Sequence, residues 1–352
     1  MKNKLLTLTA LATGGVMAAR YIAANNRSFE LSGKVVLITG GSRGLGLELA
    51  RQLSDEGARL AICARDEGEL EQAREELETQ GAEVFAATCD ITDKKQIDEW
   101  VKGALNHYGT IDVLINNAGI IQVAPVEVMT DEYEEAMNTH FWGSLRAIEA
   151  VLPEMKRKSW GRIVNITSIG GKVAAPHMTP YCASKFALVG LSHGLRSELA
   201  RDGIVVITVC PPLVRTGGFY HAVFKGQNEK EFAVGNIANS NPLLSVSTEQ
   251  AARRIIISLK RGDAETMLSK RAQGTIMFTS LFPGVTADVL AISNKMLPKA
   301  QGESSIGTSR ASGFESASVV SESPLTVLNQ KALRDNNERS GSHEAPEAPA
   351  TA

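Results

Sequence analysis

Short apolar runs alternate with longer amphipathic ones through most of the chain. Lys34–Thr39 (KVVLIT), Ala58–Cys63 and Glu83–Ala87 read as strands, and Ile111–Ile115, Arg162–Ile166 and Ile204–Val209 continue the series. Runs this apolar predict strands covered on both faces. Between them, Gly44–Glu56, Glu67–Gln80 and Lys94–His107 carry helical periodicity, with further helices near 131–157 and 180–201. Strands alternating with helices of this length predict βαβ units, which the right-handed crossover rule assembles into a doubly wound parallel sheet. The expected fold class is α/β, one domain over residues 28–275.

The ends read differently. Residues 5–19 (LLTLTALATGGVMAA) carry no charge and lie between Lys2, Lys4 and Arg20, Arg27. Residues 1–27 are therefore expected to contact a membrane, as an anchor or an interfacial helix, with a signal peptide as the alternative. Residues 276–298 form an apolar helical segment. Within it Val285, Val289, Ile292 and Met296 share one stripe, expected to pack on the chain's own domain rather than face lipid. Residues 299–352, rich in Ser, Glu, Ala and Pro, are expected to be disordered.

Composition narrows the function classes without naming a chemistry. Lys+Arg 37 against Asp+Glu 39 leaves a net charge of −2, so nucleic acid is not an expected partner. Six histidines without close pairing suggest no metal site. Of four cysteines, Cys63, Cys89 and Cys210 lie in strand-like apolar runs, which points to reduced thiols and a cytoplasmic location.

The first chemical signal is Thr39-Gly40-Gly41-Ser42-Arg43-Gly44-Leu45-Gly46, directly after the first strand and opening the first helix. Glycines let the backbone turn tightly against a diphosphate, and the helix N-terminus offers it unpaired N–H groups. The second strand ends Cys63-Ala64-Arg65-Asp66. A carboxylate there would hold the ribose 2′-hydroxyl of NAD, and an arginine would accommodate a 2′-phosphate. Arg65 and Arg43 favour NADP(H) over NAD(H); Asp66, one place further on, is the counter-argument.

Tyr181-Cys182-Ala183-Ser184-Lys185 sets Tyr181 and Lys185 four apart, on one helix face. An ammonium beside a phenol favours the phenolate, so the tyrosine could exchange a proton near neutral pH. Ser168, after the strand ending at Ile166, could hydrogen-bond a carbonyl being reduced.

The ordered set Thr39–Gly46, Asn116-Asn117-Ala118-Gly119, Ser168 and Tyr181–Lys185 resembles the short-chain dehydrogenase/reductases over roughly residues 30–270. The resemblance implies a Rossmann-type domain with Tyr181 as acid/base, Lys185 binding the nicotinamide ribose and Ser168 polarising the substrate oxygen. It implies cofactor contacts from Gly40, Ser42, Gly44, Leu45 and Gly46. Asn117, Ala118 and Gly119 would line the adenine-ribose side, with Asp90 and Ile91 passing the adenine. Pro211, Val214 and Thr216 would flank the nicotinamide. Homo-oligomers are also implied.

Two positions depart from the family pattern. His140 stands where the family's fourth catalytic residue, an asparagine, is expected; it could join a proton relay or only pack. Pro212 replaces the glycine expected after Pro211, stiffening that loop and removing a donor. The expected function is NADPH-dependent reduction of a carbonyl, or the reverse oxidation of an alcohol. The rival is a cofactor-binding sensor or scaffold without turnover. Phe219, Tyr220, Val223, Phe224, Phe232 and Leu243–Leu244, with Lys225, Glu229, Lys230 and Glu231 between them, make the segment after the sixth strand fairly apolar. That composition suggests a lipophilic small-molecule substrate.

Overall fold

The computed structural model describes residues 28–299, 310–321 and 323–338. Its centre is a parallel sheet of seven strands: β1 (Val35–Thr39), β2 (Arg59–Ala64), β3 (Val84–Thr88), β4 (Val113–Asn116), β5 (Gly161–Ile166), β6 (Ile204–Cys210) and β7 (Glu265–Met267). Their spatial order is β7-β6-β5-β4-β1-β2-β3. The order reverses between β1 and β4, and a crevice opens at the carboxyl ends of the strands there. The expected α/β, doubly wound sheet is the observed one.

Alternation along the strands divides the core. Val36 and Ile38 of β1 face a layer built by helices α1 (Gly44–Asp55), α2 (Glu67–Thr79) and α8 (Thr248–Arg261), which buries Leu47, Leu70 and Ile255. Val35 and Leu37 face the opposite layer, from α3 (Lys94–Tyr108) and α5 (Ser144–Arg157), with Trp100 and Ile148. At about 25 cal/mol per Å² of apolar surface removed from water, these two layers dominate the drive to fold.

The helix expected over 131–157 is interrupted. α4 (Glu132–Met137) passes into a π-helical turn over Asn138–Gly143 before α5 begins. One extra residue per turn re-aims the side chains there, and such turns concentrate at functional sites. The long helix α6 (Thr179–Glu198) follows β5, and α7 (Asn228–Ser240) covers the segment after β6.

Three expectations need correction. Val285, Val289, Ile292 and Met296 do not pack on the domain. Helices α9 (Lys270–Leu281) and α10 (Pro283–Asn294) leave those side chains exposed, and α10 buries none of its residues. The tail expected to be disordered is structured over 310–321 and 323–338. Ala311–Ser312 pairs antiparallel with Val223–Phe224, and helix α11 (Val327–Asp335) buries Leu333. The aromatic side chains after β6 are spent on each other. Phe219, Tyr220, Phe224 and Phe232 form their own buried cluster with Leu333, so their composition says nothing about a substrate. The expected anchor at 1–27, and the expected disorder of 300–309 and 339–352, lie outside the described residues.

Candidate active site

Residues Gly40–Arg43 turn the chain from β1 into α1. Gly40 (φ +67°) and Gly44 (φ +58°) take left-handed backbone that favours glycine, and a Cβ on Gly46 would lie 1.9 Å from the Gly40 carbonyl oxygen. Thr39 organises the turn. Its Oγ1 accepts the N–H groups of Asn117 (3.0 Å) and Ala118 (3.1 Å), and Asn117 Nδ2 donates to the carbonyls of Thr39 (3.1 Å) and Gly40 (2.9 Å). Asn117 and Ala118 thus shape the loop. Ser42 is buried, and Leu45 packs its side chain against the core. A glycine cradle of this shape, at a helix N-terminus, fits a diphosphate.

An anion already stands in it. The Gly44 N–H donates to the Asn336 carbonyl at 2.9 Å. A Cβ on Gly44 would sit 2.6 Å from Glu338 Oε1 and 3.6 Å from Thr216 Cβ. Glu338 is buried, with Oε2 at 3.4 Å from Arg43 Nε and 3.1 Å from His221 Nε2. Nothing in the Ser-rich tail composition pointed to this residue.

Arg43 is also paired with Glu69, at 2.6 Å. Glu69 is buried and also meets Ser42 Oγ at 3.4 Å, a carboxylate that sequence reasoning passed over. Arg65 is exposed at the end of β2 and pairs with no described residue. Asp66 caps α2, accepting the Glu69 N–H at 2.8 Å, which accounts for its place in the sequence without a cofactor. Asp90 Oδ1 accepts from both the N–H and the hydroxyl of Thr92 at 2.8 Å, and Ile91 lies under Gly143. On the far side, the Pro211 carbonyl accepts the Ile169 N–H at 2.7 Å. Val214 sits in the short strand Leu213–Arg215, and Thr216 Oγ1 accepts the Gly218 N–H at 2.9 Å.

The catalytic candidates meet beside this loop. Asn116 Nδ2 donates to Asn165 Oδ1 (2.8 Å), and Asn165 Nδ2 to Ser192 Oγ (2.7 Å), tying β4, β5 and α6 together. Ser168 leaves β5 extended, and its Oγ accepts the Gly170 N–H at 3.0 Å. The Tyr181 ring flanks the same turn: a Cβ on Gly170 would be 3.4 Å from Ser168 Oγ and 3.0 Å from Tyr181 Cε1. Burial raises the phenol to about 12, against the lowering effect of the Ser168 contact. Lys185 is buried too. Its Nζ donates to the Ile166 carbonyl at 3.0 Å and lies 5.7 Å from the Tyr181 ring centroid. Desolvation pulls this amine down to about 7. The expected lowering of the tyrosine by the lysine is therefore not what this arrangement produces. Both groups are pushed toward their neutral forms.

His140 is fully buried, in the π-helical turn. The Ile120 N–H donates to its Nε2 at 3.1 Å, so Nδ1 carries the proton and donates to Ser184 Oγ at 2.7 Å. Ser184 in turn donates to the Tyr181 carbonyl at 2.8 Å. Burial, then the charge of Lys185, holds the imidazole well below its usual range. With both ring nitrogens committed, His140 clamps the helix turn that carries Tyr181; this geometry does not offer it as a proton relay. Gly119 lies against the same ring: a Cβ there would be 3.0 Å from His140 Nε2.

Comparison with known proteins identifies the family of the chain. The short chain dehydrogenase family matches residues 34–223. The chain is 40% identical over 213 residues to a Streptomyces violaceoruber protein, granaticin polyketide synthase putative ketoacyl reductase 1, covering 60% of this chain and 73% of that one. Human dehydrogenase/reductase SDR family member 7 is 32% identical over 274 residues, 76% of this chain and 79% of its own. Among solved structures, a gluconate 5-dehydrogenase from Burkholderia cenocepacia in complex with NADP and tartrate superposes with a TM-score of 0.62. It shares 25% identity and covers 70% of this chain and 98% of its own.

Proposed function

The chain belongs to the short-chain dehydrogenases, NAD(P)-dependent oxidoreductases, and on that footing we propose that it reduces a carbonyl compound with NADPH, or oxidises the corresponding alcohol. The observation that carries the reading is that Ser168 Oγ and the Tyr181 ring close on Gly170, on which a Cβ would be 3.4 Å and 3.0 Å from them, with the buried Lys185 Nζ 5.7 Å from the Tyr181 ring centroid. When bound, the nicotinamide supplies or accepts the hydride at the carbonyl carbon. Tyr181 gives the proton to the oxygen, and Ser168 holds that oxygen in line. Lys185 binds the nicotinamide ribose and, once charged, stabilises the phenolate that the proton leaves behind.

Gly40, Ser42, Gly44, Leu45 and Gly46 would hold the diphosphate. Asp90, Ile91, Asn117, Ala118 and Gly119 would border the adenine and its ribose, and Pro211, Val214 and Thr216 the nicotinamide. NADPH is favoured because Arg65 stands exposed at the end of β2 while Asp66 is spent on a helix cap. The NADP-bound gluconate 5-dehydrogenase is a relative in which that cofactor fits the same fold. The lipophilic character of the substrate now rests on exposed Leu243 and Leu244, since the aromatic cluster is buried. We place the protein in the cytoplasm, with residues 1–27 in contact with a membrane.

Titration of both cofactors tests the reading. A charge-assisted contact worth about 1.5–3 kcal/mol makes NADPH the tighter ligand by roughly ten- to a hundredfold, and Arg65→Ala removes that margin. Equal affinities overturn the preference. A ketone and alcohol panel with either cofactor separates an enzyme from a cofactor sensor, which turns nothing over.

A further inference from the structure

Resting on that reading, we propose that residues 310–321 and 323–338 form a built-in competitor for the dinucleotide, with the Glu338 carboxylate standing in the diphosphate cradle until the cofactor displaces it. The segment is held at several points along its length. Ala311–Ser312 is fastened to Val223–Phe224, and Leu333 is buried in the aromatic cluster. A Cβ on Gly217 (φ +90°) would fall 2.6 Å from Leu333 Cα, so the loop after β6 is shaped to let the helix lie on it. Arg51 Nη1 donates to the Asp335 carbonyl at 3.0 Å, and Asn337 Nδ2 donates to the Ser42 carbonyl at 3.0 Å.

At the end of this run three features reproduce what a diphosphate would take. The Gly44 N–H has a carbonyl acceptor in Asn336. The Glu338 carboxylate lies between Gly44 and Gly218, on which a Cβ would be 3.4 Å from Oε1. Arg43 and His221 face the negative charge. Among the described residues the buried Glu338 Oε2 accepts no hydrogen bond and is met only by Arg43 Nε at 3.4 Å and His221 Nε2 at 3.1 Å, His221 Nε2 also lying 2.9 Å from the Glu338 carbonyl. So incompletely met, a buried carboxylate is costly, which suits a group that another anion can displace. A carboxylate and a diphosphate cannot occupy one cradle, so the two ligands exclude each other.

The test compares the full chain with Glu338→Gln. NADPH binding is followed by calorimetry, and hydrogen exchange is followed across 310–338 with and without the dinucleotide. Glu338→Gln keeps the size of the side chain, so the fold is retained, and it should bind NADPH about ten- to a hundredfold more tightly than wild type. Exchange over 327–338 should rise in wild type when NADPH is added, and should already be raised in the variant. Equal affinities with unchanged exchange overturn the competitor while leaving the oxidoreductase reading intact. No dinucleotide binding by either protein overturns that reading and this one with it.

A different observation carries a second proposal. We infer that α9 and α10 form a hairpin that lies on an anionic lipid surface. The two helices meet at 113°, and neither is long or apolar enough to cross a membrane alone. Phe278, Leu281, Phe282, Val285, Val289 and Ile292 are all about half exposed or more. Lys270, Arg271, Lys295 and Lys299 stand exposed at the ends of the hairpin, against Asp288 as the sole acid between 270 and 299. An apolar body with basic ends suits acyl chains below and anionic headgroups beside them. Arg271 Nη1 donates to the Leu243 carbonyl at 3.1 Å, so the hairpin borders the exposed Leu243 and Leu244 of the segment after β6.

Sedimentation of the full chain with phosphatidylcholine vesicles, with and without phosphatidylserine, checks this. Wild type should pellet more strongly with the mixed vesicles, and the triple variant Phe278→Ser, Phe282→Ser, Val289→Ser should partition at least tenfold less. Unchanged partition of the variant overturns the proposal. So does a wild-type dimer that the variant loses in light scattering, which would make this face a contact between copies of the chain.

Discussion

Lys185→Met should stabilise the protein at neutral pH and lose that advantage by about pH 9. Burial lowers the folded-state pKa of Lys185 from 10.5 to about 7. Between those values the unfolded chain holds a proton that the folded site gives up, so stability rises with pH across that window and levels off below it. At 1.36 kcal/mol per unit, the burden of this lysine is about 5 kcal/mol when fully charged, falling to about 4 at pH 7 and about 2 at pH 9. Methionine carries no such burden. It does leave the Ile166 carbonyl without the donor now at 3.0 Å, a loss of about 1–3 kcal/mol. The variant should therefore be more stable than wild type by about 2 kcal/mol at pH 7, with the difference vanishing near pH 9. Urea unfolding of both proteins at pH 6, 7, 8 and 9 measures it, because groups common to both cancel in the difference. A stability difference that stays constant from pH 6 to pH 9 would show that Lys185 titrates alike in both states, and would sink the argument.

Tyr181→Phe removes the proton donor and should cut turnover by about 10²–10⁴-fold while the dinucleotide dissociation constant stays near wild type; steady-state rates with calorimetry check both. Ser168→Ala should act in the same direction, read from the same assay. Gly46→Ala forces a methyl to 1.9 Å from the Gly40 oxygen, so the loop must shift, at about 1–3 kcal/mol of stability, with loss of dinucleotide binding. Calorimetric titration and thermal unfolding would reveal a tolerated alanine. Cell fractionation of the full chain beside one starting at Ser28 should leave a smaller share of the shorter chain with membranes, and equal partition would refute the contact through residues 1–27.

What could be read in advance was local or periodic. The alternation of β1 with α1, and the four-residue spacing of Tyr181 and Lys185, follow from side-chain geometry within one element. Asp66 shows where locality leaves two readings open. An acid after β2 reads as an NAD ligand, and the same acid also caps α2 through one hydrogen bond. His140 needed the third dimension, since its role depends on Ile120 and Ser184, brought to it by a π-helical turn that no hydrophobic period announces. The aromatic residues after β6 were counted correctly and faced wrongly, because composition does not say which way a side chain points. Glu338 was beyond reach. It meets Arg43 from the far end of the chain, and the tail around it has the polar, Ser-rich content of segments that stay unfolded.

Tyr181 and Lys185 are displaced in opposite directions by one cause. Burial disfavours charge, so it raises the phenol to about 12 and lowers the amine to about 7. In this state the tyrosine holds its proton firmly, and the lysine does little to loosen it. An acid that must release its proton during hydride transfer needs a positive neighbour, and the chain's own residues do not guarantee one here. Glu338 at the glycine loop is paired with Arg43 and His221 rather than with Lys185. The tail can therefore fill the cradle without charging the lysine. A phosphate-bearing ligand that lies along the crevice and reaches Lys185 would favour its ammonium form, and the phenol would become the stronger acid in consequence. On this account the resting protein holds its proton donor in a weak form. Displacement of Glu338 by a dinucleotide, as proposed above, would open the cradle, and whatever then charges Lys185 would make the phenol the stronger acid.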